Sequence, residues 1–225
     1  MLKRLVFVLG ATLLAFAAAA QPMLYQEGKQ YFRIEPTQPT NTPGKVEVIE
    51  VFSYACIHCA NFQPVVEQWK KTMPKDASFS YMPAVFNPTW ETFARAYYAA
   101  EAMGVLDKTH GALFDAVFVE KLPLQTVNDV AKFFERYGKS ADEALKAMNS
   151  FGVRMKMDRA KKQVLAYQVD GTPTVVVNGK WRVTGASAGS HEALFKVVDH
   201  LVRMEAATLP KAPVAQKPKA AAQKP

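Results

Sequence analysis

The sequence predicts an α/β fold, a small sheet domain interrupted by a block of helices. Three observations carry that prediction. An alternating, β-branched run at 45–54 leads straight into a helical period at 57–71. After a second strand, five helical segments follow with no strand among them. A Val-rich hairpin then returns at 172–185, and a last helix closes the order.

"KVEVIEVFSY" (45–54) alternates and is rich in Val, Ile and Phe, which is the pattern of a strand. The helix from Ile57 to Lys71 carries Phe62, Val65, Val66 and Trp69 on one face, with Pro64 expected to kink it. "ASFSYMPAVF" (77–86) reads as the second strand. Helices are then expected over 89–104, ending on Gly104, over 107–121, over 126–138, ending on Gly138, and over 140–148 and 153–167. Ser140 and Glu143 have capping-box spacing. In 172–185, Val175 to Val177 reads as buried on both faces, and Asn178-Gly179 is a two-residue hairpin signal. The final helix, 190–202, is capped by Ser190.

The ends of the 225-residue chain differ from its middle. Lys3 and Arg4, the apolar run Leu5 to Phe16 and the small residues Ala17 to Ala20 have the three parts of a secretory signal. The apolar stretch is shorter than the about 20 residues a membrane span needs. A signal peptide over 1–20 is therefore expected, with the mature protein in a compartment where disulfides persist. The last segment is Lys, Pro, Ala and Gln with little to bury, so a disordered tail is expected over 205–225. Of the 28 basic residues, six lie in this leader and tail, and the remaining 22 face 20 acids. The net charge of +8 thus says little about the folded body, and nucleic-acid binding is excluded on that ground.

Cys56 and Cys59 are the only cysteines. Closing so short a loop stabilises by roughly 2 kcal/mol, against almost 5 for a loop of about a hundred residues, so the pair is not placed for stability. A zinc site needs about four ligands, and His110, His191 and His200 lack the spacing to complete one; no metal is expected. A c-type haem needs His directly after the second cysteine, where Ala60 stands.

A redox dithiol remains. Cys56 precedes a helix whose free N–H groups and positive dipole end favour a thiolate, and His58 adds a second stabiliser. A fall in its pKa from about 8.5 to about 5 stabilises the reduced form by about 2.7 kcal/mol at pH 7, or roughly 60 mV toward a more oxidising disulfide. Cys59, one turn further in, is expected to be the more buried, resolving thiol.

"VIEVFSYACIHCANF", "GKQYFRIEP" (28–36) and "DGTPTVVVNGKW" (170–181) resemble the DsbA family of periplasmic thiol:disulfide interchange proteins, over roughly residues 25 to 204. The resemblance implies a thioredoxin fold with an inserted α-helical domain. The division is then 21–84 and 169–204 for the thioredoxin-like parts and 85–168 for the insert. It implies that Cys56 forms the mixed disulfide with substrate and Cys59 resolves it. Pro173 matches the family's cis-proline and, with Thr172, would offer a backbone edge to an extended substrate. Glu50 matches the buried acid that shuttles a proton near the resolving cysteine. Ile57 departs from the family's usual proline between the cysteines, and the lysine-rich tail is not part of the common pattern.

The function implied is donation of the Cys56–Cys59 disulfide to exported proteins in the periplasm. A DsbB-type membrane quinone reductase would reoxidise it, with no bound cofactor and a monomeric chain. The rival readings are a reductase or isomerase of the same fold and a non-catalytic metal- or peptide-binding module.

Overall fold

The structure is a computed structural model and describes residues 24–210. The expected signal peptide (1–20) and the tail from 211 onward lie outside the described residues. Five strands form one sheet: β1 (Phe32–Arg33), β2 (Val46–Phe52), β3 (Ala77–Pro83), β4 (Thr174–Val177) and β5 (Trp181–Thr184). Their order is β1-β5-β4-β2-β3, with β2 and β3 parallel and the other neighbours antiparallel. β2 is an interior strand, between β4 and β3, and is buried along its whole length, Glu47 and Glu50 included.

The two faces of β2 divide the core. Val46 and Val48 meet Phe62, Val66 and Trp69 of α1 (Ile57–Lys70) and Leu194, Phe195 and Val198 of α8 (His191–Ala206). Ile49 and Val51 meet Ala160, Val164 and Tyr167, the first two from α6 (Phe151–Ala166). Between β3 and α6 lie α2 (Pro88–Ala102), α3 (Leu106–Phe118), α4 (Val127–Phe133) with a 3-10 turn at Phe134–Tyr137, and α5 (Ala141–Met148). Phe93, Tyr97, Leu113, Phe114 and Phe134 of these segments join Phe52 and Tyr54 in a second core at the end of β2. The helices between β3 and β4 thus close back on the sheet through α6, which shields its second face.

Several boundaries differ from the sequence expectation. β3 stops at Pro83, three residues early, where its partner β2 ends: Phe52 stands opposite Pro83, and the Ala84 N–H makes the last bond, to the Phe52 carbonyl at 2.8 Å. The helix expected at 126–138 tightens into the 3-10 turn and ends on Gly138 at φ 76. Ser140 accepts from the Glu143 N–H, but the Glu143 carboxylate pairs with Lys139 rather than completing the box. Complete capping boxes occur instead at Thr126/Asp129 and, in the short α7 (Gly185–Ala188), at Thr184/Ser187. α8 runs on to Ala206, and Glu205 is buried, so the first residues of the expected tail belong to the fold. β1 was not expected; two residues are too few to show a period. Asn178 (φ 53) and Gly179 (φ 63) make the β4–β5 turn as expected, and a Cβ on Gly179 would collide with the Gln38 carbonyl.

Candidate active site

β2 ends at Phe52, and a short turn over 53–55 delivers Cys56 to the N-cap position of α1. The Cys56 N–H donates to the Ser53 carbonyl at 3.0 Å, and its own carbonyl accepts from Ala60 N at 3.1 Å, the first bond of the helix. At most N-caps a Ser or Asp oxygen accepts the free N–H groups of the first turn. Here Cys56 Sγ takes that place, accepting from Cys59 N at 3.4 Å. The sulfur therefore sits where the helix end favours negative charge. Both cysteines are present as thiols. Cys56 retains 9 % exposure and Cys59 none, so only the first can meet a macromolecular partner.

Their electrostatics diverge sharply. The Cys56 thiol is brought down from 9.0 to about 5, first by the hydrogen bond from the Cys59 thiol, which outweighs the cost of burial. Thr172 and the backbone N–H groups of Cys59 and His58 add to it. Cys59 is pushed far up by its own burial, by its bond to Cys56 and by the negative charge of Glu50. One pair thus holds an outer thiolate and an inner thiol, each reinforcing the other.

His58 differs from the sequence expectation in how it acts. Its side chain is exposed, and among the described residues no hydrogen bond joins its ring to Cys56 Sγ. What reaches the sulfur is its backbone N–H. The ring instead faces an open groove of about 630 Å³ beside the cysteines, lined also by Thr172, Pro173, Thr184, Gly185 and His191.

Glu50 lies in the middle of β2, in register with Tyr81 of β3 and Val175 of β4. It is 1 % exposed, and its Oε2 has no hydrogen-bond partner among the described residues. Its pKa is raised well above the usual carboxylate range, first by burial and then by Cys56 and Glu67, with Lys70 opposing. Burial thus favours the protonated carboxyl over the carboxylate near the inner thiol, and the carboxylate, when formed, opposes ionisation of Cys59.

The peptide bond Thr172–Pro173 is cis, as Pro173 was expected to be. The Thr172 carbonyl lies 3.4 Å from Cys56 Sγ, which donates to it as a thiol. The Thr172 hydroxyl is buried with no hydrogen-bond partner among the described residues, and the side chain acts to lower the pKa of both sulfurs. The structure thus gathers Cys56, Cys59, Thr172, Pro173 and the backbone of His58 beyond the C-terminal end of β2, with Glu50 buried inside that strand beneath them.

Three features escaped the sequence. The largest stabiliser of the Cys56 thiolate is its partner thiol, a matter of rotamer that no motif records. The groove wall from Thr184 to His191 lies over a hundred residues from the cysteines. Tyr54 OH and His110 Nδ1 form a buried 2.8 Å hydrogen bond that ties the segment before Cys56 to α3. A lone Tyr and a distant lone His carry no sequence signal of their pairing. Among the described residues, no group of three or more His, Cys, Asp or Glu side chains converges as a metal site.

Comparison with known proteins agrees with this geometry. A family described as the DSBA-like thioredoxin domain matches residues 47–191. The thiol:disulfide interchange protein DsbA of Pseudomonas aeruginosa is 38% identical over 196 residues, covering 87% of this chain and 93% of that protein. The protein of the same name from Azotobacter vinelandii is 39% identical over 199 residues, with the same two coverages of 87% and 93%. Among solved structures, P. aeruginosa DsbA superposes with a TM-score of 0.77 at 38% identity, over 81% of this chain and 95% of that one. The oxidoreductase DsbA from Xylella fastidiosa also gives 0.77, at 36% identity, over 82% and 100%.

Proposed function

The chain belongs to the DsbA family of thiol:disulfide oxidoreductases, and from that membership we propose that it donates its Cys56–Cys59 disulfide to exported proteins as they fold in the periplasm. The observation that carries the direction of transfer is the contrast between the two sulfurs: an outer thiol lowered to about 5 beside an inner one pushed far up.

In the oxidised protein, a substrate thiolate attacks Cys56 Sγ. The S–S bond breaks, and its electron pair goes to Cys59, which takes up a proton through Glu50. A second substrate thiolate then attacks the substrate sulfur of the mixed disulfide. Cys56 departs as a thiolate, which its surroundings hold without a proton. The substrate loses two electrons and gains a disulfide; the protein ends as one thiolate and one thiol, so that of the two protons its two substrate thiols give up, Cys59 takes one and one is released. Lowering Cys56 from 9.0 to about 5 favours the reduced form by about 2.7 kcal/mol at pH 7, roughly 60 mV toward oxidation of the substrate.

The groove beside His58 and Pro173 suits an extended segment of the incoming chain, whose backbone can pair at the Thr172–Pro173 edge. Recognition through main-chain groups is tolerant of sequence, as a donor to many exported proteins requires. The reduced product needs an oxidant, for which a DsbB-type membrane quinone reductase is the proposed source. The proposed division of the chain follows the same logic. The thioredoxin-like parts, 21–84 and 169–204, hold the sulfurs and the proline edge, and the segment 85–168 braces them.

The test is trapping. A Cys59→Ala variant mixed with a reduced single-cysteine substrate and a mild oxidant should accumulate a mixed disulfide through Cys56, identified by peptide mass. Wild-type oxidised protein should convert a reduced two-cysteine substrate to its disulfide stoichiometrically. Failure of both outcomes contradicts the proposal.

A further inference from the structure

Outside the redox site, one helix has a surface that the disulfide chemistry does not use. α6 turns Val153, Met157, Ala160 and Val164 inward. Its opposite side carries Phe151, Met155 and Leu165, exposed by 70%, 52% and 76%. Scattered exposed apolar residues need no explanation. These three share one face: on a helix of 3.6 residues per turn, 151, 155 and 165 project within an arc of about 80°, which also holds Asp158 and Lys162.

Charge follows the same face. α6 holds five basic residues, Arg154, Lys156, Arg159, Lys161 and Lys162, against one acid, Asp158. No other helix among the described residues has an excess of basic over acidic side chains. Lys156 and Lys161 are bound to Glu101 and Glu91 of α2, at 2.7 and 3.2 Å, which neutralises the acids beside the helix. Arg154, Arg159 and Lys162 are exposed and form no ion pair among the described residues.

We infer that this face of α6 is a peripheral docking surface for an anionic phospholipid bilayer. A basic helix with an apolar line lies in the headgroup region, its cations meeting lipid phosphates and its apolar side chains entering shallowly. A second copy of the chain fits poorly, because a two-fold contact would set the same excess of positive charge against itself. Three separated apolar side chains are also far less than the about 800 Å² per partner that a stable protein interface buries. The inference concerns a different face from the redox site and does not depend on the direction of disulfide transfer. Its consequence is that the protein would work close to a membrane surface.

The experiment uses the chain from Gln21 onward, which keeps every described residue and omits the apolar leader. Co-sedimentation is measured with vesicles of phosphatidylcholine alone and with about a quarter phosphatidylglycerol, at low and at physiological salt. Binding to the anionic vesicles only, weakened by salt, is expected. Arg159→Glu with Lys162→Glu, and separately Phe151→Ser with Leu165→Ser, should each weaken it at least about tenfold while leaving disulfide exchange in solution unchanged. Lys132→Glu with Lys146→Glu, the same charge change on α4 and α5, should leave binding intact. Thermal melts of all variants check that the fold survives. The inference is overturned by absent binding, by equal binding to neutral vesicles, or by full binding in the α6 variants, which would assign it to the tail. A dimer or protein complex that the same variants break would overturn it too.

Discussion

Cys56 Sγ lies 3.4 Å from the carbonyl oxygen of Thr172, a residue 116 positions further along the chain. That contact joins the outer sulfur to the backbone at the cis Thr172–Pro173 bond, the edge proposed to receive a substrate. Thr172 also acts to lower the Cys56 pKa, so the proline loop bears on the thiolate as well.

The Thr172 side chain acts to lower the Cys56 pKa, and its hydroxyl has no hydrogen-bond partner among the described residues, so its removal should be felt at the sulfur. Thr172→Val keeps the shape and deletes the donor. The Cys56 pKa should rise by about one unit, about 1.4 kcal/mol, and the disulfide should become less oxidising by roughly 30 mV. Equilibration with glutathione buffers measures the second quantity. An unchanged potential would show the hydroxyl to be idle.

His58→Ser separates the ring from the backbone, since the N–H of residue 58 survives the change. The disulfide should become harder to reduce by the ring's share alone, while the Cys56 pKa stays below 7. Thiolate absorbance and glutathione equilibria report the two effects separately. A return of Cys56 to its ordinary value would place the stabilisation in the ring, against the geometry.

Glu50 is buried with a raised pKa, so it is neutral in the folded protein over a range where the unfolded chain ionises it. The sign follows from linkage: this group's contribution is favourable below its ordinary value of 4.5 and is lost as pH rises through the folded value. Glu50→Gln should therefore stabilise the oxidised protein increasingly above that pH, by melts across a pH series. It should also slow thiol exchange, because Cys59 loses its proton donor. A slower exchange with no gain in stability would mean that the carboxyl is ionised in the fold.

Glu205 is 3% exposed and accepts from Asn178 Nδ2 at 2.7 Å, Lys180 Nζ at 2.8 Å and Trp181 Nε1 at 2.7 Å. Burial alone would raise its pKa; the three donors outweigh that and lower it. Its stabilisation is present above its ordinary value and fades as pH falls through the folded one. Glu205→Ala should cost about 2–4 kcal/mol in denaturant unfolding at pH 7 by stranding the three donors. A loss under about 0.5 kcal/mol would refute the clamp.

The sequence made the central strand, the paired cysteines at the start of a helix and the Asn178-Gly179 turn readable. Each of these is local: a period, a spacing, or a backbone conformation that few residues adopt. Glu50 was identified by its match to the family's buried acid, since the strand pattern alone does not separate it from Glu47. What could not be read arises between distant segments. β1 has two residues and exists by pairing with β5. α6, expected among the inserted helices, covers a face of the sheet through Ala160 and Val164. The role of the Cys59 thiol as the leading stabiliser of Cys56 depends on where one side chain points, which spacing does not encode.

Titrating the thiolate absorbance of the reduced protein, with Cys59→Ala as a control, tests the central claim most directly. Cys56 should titrate near 5 in the wild type and distinctly higher in the variant, because the Cys59 thiol that stabilises the thiolate most is gone. A wild-type value near 9.0, or one that ignores the loss of Cys59, would contradict the account.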